Sequence, residues 1–346
     1  MVSRQSIKGL VFTLLNLAGV ERRLLSRIRR EKSLVILNLH QVSTYVNPFY
    51  PPLHPQVFEQ LLVFLKKHFH LTTFRELENV SSNKPLAILS FDDGYHDFID
   101  YVMPLLDKHR LRANMNVIPS CVESGLPIWN VQLYDFLNSA PRKLINEIEM
   151  PGFNECLNGD DNYSKVRYGL KISRFLKNRP RHEREAFWKH LVSVMHKADN
   201  IKFTLMMSAD EIKEAARLHE IGAHSFSHES MGFEENGFFQ DDLQKCAAFF
   251  KERLQLPLDI YAFPNGSYRD SQVTTLQQQG IKHVLLVGEK FAHREQPIYP
   301  RFTLYGETFQ EVKFLALGYK AKREEGDLSN VWNRRFLPVR TWLGQV

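Results

Sequence analysis

Two adjacent carboxylates, two imidazoles four residues apart and a Pro-Asn-Gly turn are the residues here whose types and spacing suit hydrolytic chemistry. Ser90-Phe-Asp-Asp-Gly94 sets Asp92 beside Asp93 directly after an apolar run. Two carboxylates in that position are costly to bury unless a cation or a proton lies between them, and Gly94 lets the chain turn sharply beyond them. The same pair also suits the N-cap of a following helix. His224-Ser-Phe-Ser-His228 lets two imidazoles chelate one ion from a single turn; one carboxylate completes a set that leaves a coordination position open. Ala262-Phe-Pro-Asn-Gly266 shapes a tight loop through Pro264 and Gly266, with backbone N–H groups able to face a developing oxyanion, although Pro-Asn-Gly is also an everyday turn.

Each motif follows a short apolar run that reads as a buried strand. Such runs occur at 34–40, 86–91, 113–118, 220–224, 259–263, 283–287 and 299–304. Helical spacing fills the gaps. Phe58, Leu62, Leu65 and Phe69 mark an amphipathic helix over 55–70, and further helices are expected near 98–109, 208–219, 237–254 and 270–279. Strand and helix in alternation imply a parallel sheet with helical crossovers. Seven strands over ~250 residues fit a closed or nearly closed barrel, whose active site gathers at the C-terminal strand ends. The rhythm breaks between about 125 and 205, a stretch rich in Arg, Lys and Asn that reads as a helical insertion after an early strand. Trp129 and Tyr134 stand near its start, where aromatic faces can either stack on a sugar ring or anchor an inserted helix.

In order and separation, the Asp-Asp-Gly, His-Ser-x-x-His and Pro-x-Gly segments resemble those of the polysaccharide deacetylases of carbohydrate esterase family 4, the NodB-homology group. The likeness spans residues 34–305 and begins with Leu-Asn-Leu-His40. It implies an α/β fold, a distorted (β/α)7 barrel, and a metal-dependent hydrolase that removes N-acetyl groups from an amino-sugar-containing saccharide. By that resemblance Asp92 is the general base, and Asp93, His224 and His228 hold a divalent metal, commonly zinc, with cobalt or nickel as alternatives. Pro264 belongs to the substrate-binding loop, and the backbone N–H near Asn265 helps hold the oxyanion. The substrate is then a polysaccharide or a lipid-linked precursor of exopolysaccharide biosynthesis. An O-acetyl esterase and a carbohydrate-binding relative without turnover are the rival readings.

The chain departs from that family pattern in two places. Ala262 stands where many members carry the arginine that orients the base, and Asn265 replaces an aromatic residue. Arg301, near the end of the last expected strand, is the candidate substitute. The late Leu-x-x-His segment, whose histidine acts as general acid, has no clear counterpart: His283 begins a strand, His293 lies in a loop, and His40 reads as a core histidine.

Charge and length bound the rest. The first 32 residues hold eight basic and two acidic side chains, which is the whole net charge of +6; the remainder is neutral. A general nucleic-acid-binding surface is therefore not expected. The apolar run at 9–20 covers 12 residues, against the ~20 needed to span a bilayer, and no small-residue cleavage site follows it. Residues 1–32 read as a basic amphipathic arm, with Leu24, Leu25 and Ile28 on one side. Such an arm can rest on an anionic membrane face or pack on the barrel's outside. The expected organisation is this arm, a barrel over 33–325 and a C-terminal tail over 326–346, in a cytoplasmic protein peripheral to the membrane. Cys121, Cys156 and Cys246 are too far apart for a thiolate zinc site of usual spacing or a disulfide scaffold, which suits a reducing compartment.

Overall fold

The structure, a computed structural model, describes residues 4–177, 181–296 and 298–321. Eight parallel strands run through it: β1 (Val35–Leu39), β2 (His70–Leu71), β3 (Leu86–Asp93), β4 (Asn114–Val117), β5 (Glu220–Ala223), β6 (Ile260–Ala262), β7 (His283–Val287) and β8 (Ile298–Thr303). Seven of them close a ring in the order β1-β8-β7-β6-β5-β4-β3, sealed where β1 pairs with β3 from Val35↔Ala87 to Leu39↔Phe91. The short β2 lies outside the ring, beside the start of β3. A single residue pair, Ala223↔Tyr261, joins β5 to β6, so the ring is uneven there. This is the distorted (β/α)7 barrel the sequence implied, and its seven ring strands coincide with the seven apolar runs.

Period-two alternation divides the strand residues between two environments. Val35, Leu37, Leu89, Met115 and Val284 point outward into the core shared with the surrounding helices. Ile36, Ile88, Ile260, Ala262 and Leu285 point into the barrel and fill its lower half with apolar side chains. Further along the same inward rows come Asn38, Ser90, Asp92, Asn114, Asn116 and Arg301, all with no exposed surface. The barrel is thus greasy at the N-terminal ends of its strands and polar at the C-terminal ends.

The amphipathic helix runs Pro55–His68, with Phe58, Leu62 and Leu65 fully buried; Pro55 opens it, and the His54 side chain accepts the Gln56 N–H at 3.2 Å. The insertion contributes helices Trp129–Ser139, Arg142–Ile145, Asn162–Lys177 and Arg181–Met195, which share a core of their own around Phe136, Ile145, Ile172 and Leu191. It returns to the barrel where Tyr95 bridges Met206 and the His96 N–H donates to the Leu205 carbonyl.

Residues Arg4–Leu17 and Val20–Arg30 are helical, and left-handed Gly19 breaks them apart (φ 71°). Leu25 and Ile28 are buried in the main barrel core, each worth about 1.5–3 kcal/mol of burial. The apolar side formed by Leu24, Leu25 and Ile28 packs against the barrel. No helix among the described residues is long and apolar enough to cross a membrane. The tail expected at 326–346 lies outside the described residues.

Candidate metal centre

Strand β3 delivers both carboxylates. Asp92 is the last inward residue of its row; by alternation Asp93 would point away. The chain instead adopts left-handed conformations at Asp93 (φ 78°) and Gly94 (φ 80°). With the strand broken there, the Asp93 carboxylate comes to lie 3.6 Å from His224 Nε2 and 3.5 Å from His228 Nε2. A side chain at position 94 would meet Val117 at 3.3–3.5 Å in a backbone conformation that already disfavours a Cβ.

The histidines leave β5 on a loop shaped by one buried acid. Asp242, on the helix Asn236–Ala248, accepts hydrogen bonds from the Ser225 hydroxyl (3.1 Å), the Phe226 N–H (2.8 Å), the Ser227 N–H (3.1 Å) and the Ser227 hydroxyl (2.7 Å). The Ser225 oxygen in turn accepts the His228 N–H at 3.0 Å. Ser225 and His228 both sit at positive φ (62° and 58°), so this hydrogen-bonded cage holds a backbone that would otherwise relax. His224 Nδ1 donates to the Ala262 carbonyl at 2.9 Å, which fixes the tautomer and leaves Nε2 as an acceptor towards Asp93. Burial and then the neighbouring His224 push His228 down to about 3, so its imidazole is neutral, the form that binds metals.

One ligand atom from each of Asp93, His224 and His228 lies within 4.8 Å of the others. Asp93 Oδ1 is buried and has no hydrogen-bond partner. A carboxylate oxygen left unpaired at that depth is costly, and a divalent cation shared with the two imidazoles would satisfy it. The donor set of two nitrogens and one carboxylate oxygen fits zinc, cobalt or nickel.

Asp92 lies alongside, held by different partners. Arg301 Nη1 donates to Oδ1 and Nη2 to Oδ2, each at 2.7 Å, and the Asn116 amide donates to Oδ1 at 2.8 Å. Burial alone would make this carboxyl a weaker acid. The Arg301 charge, the nearby His224 and the bidentate hydrogen bonds outweigh it, holding Asp92 well below the usual carboxylate range. The arginine lacking at position 262 is thus supplied from β8: Arg301 reaches across the ring and also donates to the Ser90 hydroxyl at 2.9 Å.

Not every candidate from the sequence comes near this site. Tyr134 is buried inside the insertion, stacked on Phe49 at 5.1 Å and bonded to the Ser173 hydroxyl at 3.0 Å. It cannot stack on a sugar, because its faces already belong to the insertion's core. Trp129 is half-buried against Trp188, with ring centroids 6.0 Å apart, and likewise anchors inserted helices. Pro264 is buried in the turn Pro264–Gly266 after β6; Asn265 adopts a φ of 56°, and its side-chain amide donates to the Ser230 hydroxyl at 3.0 Å.

Sequence reasoning missed three groups. Ser90, Asn114 and Asn116 form a buried polar ladder beneath Asp92, with Ser90 Oγ donating to Asn114 Oδ1 at 2.7 Å. The alternation Asn114-Met-Asn116 inside a strand was its signal. Gly222 leaves room for it, since a Cβ there would fall 2.4 Å from Asn116 Oδ1. Asp242 was signalled only as an acid on the apolar face of a helix. His40 is not a core residue: it is half-buried at the C-terminal end of β1, one position beyond the pair Leu39↔Phe91. Its ring lies edge-on to Tyr50 at 5.8 Å, and the Val42 N–H donates to half-buried Asp97, which pins the loop that follows.

A family model described as "Polysaccharide deacetylase" matches residues 177–284. That stretch carries both imidazoles and the Pro-x-Gly turn; the Asp-Asp pair lies upstream of it, on the far side of the insertion. No curated protein matches the chain. Among solved structures, the Streptococcus pyogenes deacetylase PplD in complex with acetate shares 14% identity at a TM-score of 0.53, over 84% of this chain and 99% of that one. IcaB from Ammonifex degensii shares 16% identity at a TM-score of 0.51, over 82% of this chain and 97% of that one. At such identities the likeness establishes the fold alone. Together the matched stretch and the shared barrel bear out the resemblance on which the motifs were read: the chain is polysaccharide deacetylase-like in fold and in the sequence of residues 177–284.

Proposed function

We propose that this protein is a metal-dependent hydrolase that removes N-acetyl groups from an amino-sugar-containing saccharide. The observation that carries the reading is the unsatisfied Asp93 Oδ1 between two imidazole nitrogens, with an arginine-clamped carboxylate next to it. Asp93, His224 and His228 would hold the ion. When bound, a divalent cation there supplies polarisation of the acetamide carbonyl and acidification of water.

The remaining work falls to protein groups. Asp92 Oδ1 accepts from both Arg301 and Asn116, whereas Oδ2 accepts from Arg301 alone, so Oδ2, 3.9 Å from His224 Nε2, is the oxygen with a lone pair left to take a proton on the histidine side. Arg301 fixes the plane of that carboxylate and keeps it ionised. The attacking water gives its proton to Asp92 as its oxygen bonds to the acetyl carbon. The backbone beside Asn265 faces the developing oxyanion. Cleavage of the C–N bond releases acetate, and the departing amine takes its proton from His40, which follows β1, the strand adjoining the one that carries Asp92. Exopolysaccharide or its lipid-linked precursor at a membrane face is the substrate class that suits the basic N-terminal arm.

Arg301 favours this reading over a relative that has lost turnover, because the partner of the base is present after all. Acetate release from a panel of N-acetylated and O-acetylated saccharides, with and without chelator, tests it. Chelator-sensitive release from the N-acetylated members is expected. Release confined to O-acetylated sugars, or saccharide binding with no release in added zinc, cobalt or nickel, would replace it.

A further inference from the structure

Away from the metal centre, helix Val20–Arg30 and the last turn of helix Pro55–His68 enclose a cleft of about 410 Å³ lined by Glu21, Arg22, Leu25, Arg29, Lys67 and His68. Among the described residues, Arg22, Arg29 and Lys67 make no ion pair, whereas the one acid, Glu21, is already held by Lys313. Three unneutralised cations converging on one cleft repel each other, and a bound anion would relieve that cost. His68 responds to the same field: burial, and then Lys67, lower its proton affinity, with Arg29 and Lys84 adding to the effect. Buried Leu25 forms an apolar floor.

We propose that this cleft binds a phosphate group, with Arg22 and Arg29 gripping its oxygens from one helix and Lys67 from the other. Guanidinium forks match phosphate oxygens two at a time. The cleft lies at the N-terminal ends of the strands, because His68 stands two residues before β2 begins at His70, which pairs with the start of β3. The metal centre is at the opposite end, so the phosphate anchors the protein and takes no part in the chemistry. On the preceding helix, Val11, Leu14 and Leu17 are exposed at three-residue spacing, an apolar stripe that favours the phosphate of a bilayer lipid over a soluble one.

Two binding arms test this on the full chain. One is calorimetric titration with inorganic phosphate and glycerol phosphate. The other is co-sedimentation with phosphatidylglycerol-containing vesicles against pure phosphatidylcholine. Anionic vesicles should carry the protein down at low salt and release it at high salt. Each lost cation should weaken the partition about fivefold, from ~1 kcal/mol per charge, so Arg22→Glu with Arg29→Glu, or Lys67→Glu, should abolish it. Lys282→Glu, an equal charge change elsewhere, should not. Soluble phosphate binding that disappears in the same variants supports the site with a soluble ligand. The proposal fails if neither arm shows binding, or if binding survives the three reversals in protein with an unchanged melting profile.

Discussion

Arg301 grips Asp92 with both guanidinium nitrogens, each at 2.7 Å, and neither side chain has more than 1% of its surface exposed. The two residues are over 200 positions apart in sequence, yet β8 and β3 both flank β1 and so face each other across the rim of the barrel. A buried pair of this kind is weak evidence for stability, but strong evidence that the carboxylate is meant to stay charged and oriented.

Replacing Arg301 should therefore separate charge from geometry. Arg301→Ala strands a buried carboxylate and should cost ~3–5 kcal/mol in thermal or denaturant unfolding. Arg301→Lys keeps the charge but loses the fork. It should fold and keep its metal content, while turnover falls by about 100-fold, the scale of a 1 Å misplacement. Wild-type turnover in the lysine variant would show that the fork does not position the base.

Asp242 touches neither imidazole, so its effect should reach the metal through the loop alone. Asp242→Ala removes the acceptor for four hydrogen bonds and leaves Ser225 and His228 in unsupported left-handed conformations. Metal affinity should drop by about 10–100-fold, as for other residues that orient a ligand from behind. Competition with a chromophoric chelator measures this directly, and an unchanged affinity would remove Asp242 from the account.

Asp135 provides a pH test remote from the metal. Burial raises it to about 6, against the hydrogen bonds it accepts from Thr204 and Asn47. Because its folded value lies above the unfolded one, its favourable contribution is complete below the unfolded value of 3.8 and is lost as pH rises through about 6. The stability gap between wild type and Asp135→Asn should shift by up to ~3 kcal/mol between about pH 4 and pH 7, to the disadvantage of wild type at the higher pH. Denaturant midpoints across that range would reveal it; a gap that stays level would mean that Asp135 does not titrate there.

The ring strands and the candidate metal-ligand motifs were legible because local rules fix them. Apolar runs such as 86–91 can only be buried strands, and Asp93, His224 and His228 follow strand ends that a barrel must bring together. What the sequence left open was set by distance through space. Arg301, a candidate partner of Asp92 only by its place near a strand end, is brought to it by closure of the ring between β8 and β1. Tyr134 looked available because an insertion's aromatic residues can face either way, and the separate core around Phe136 and Ile172 decided the matter. His40 ended an apolar run and so read as buried, but it lies half-buried one position beyond the pair Leu39↔Phe91.

Metal content across four purified variants tests the central assignment most directly. Asp93→Ala, His224→Ala and His228→Ala should each lose the bound ion, whereas Asp92→Asn should keep it at wild-type stoichiometry and release no acetate. Full occupancy in all four, with each variant folded, would contradict the assignment of these three residues as the metal centre.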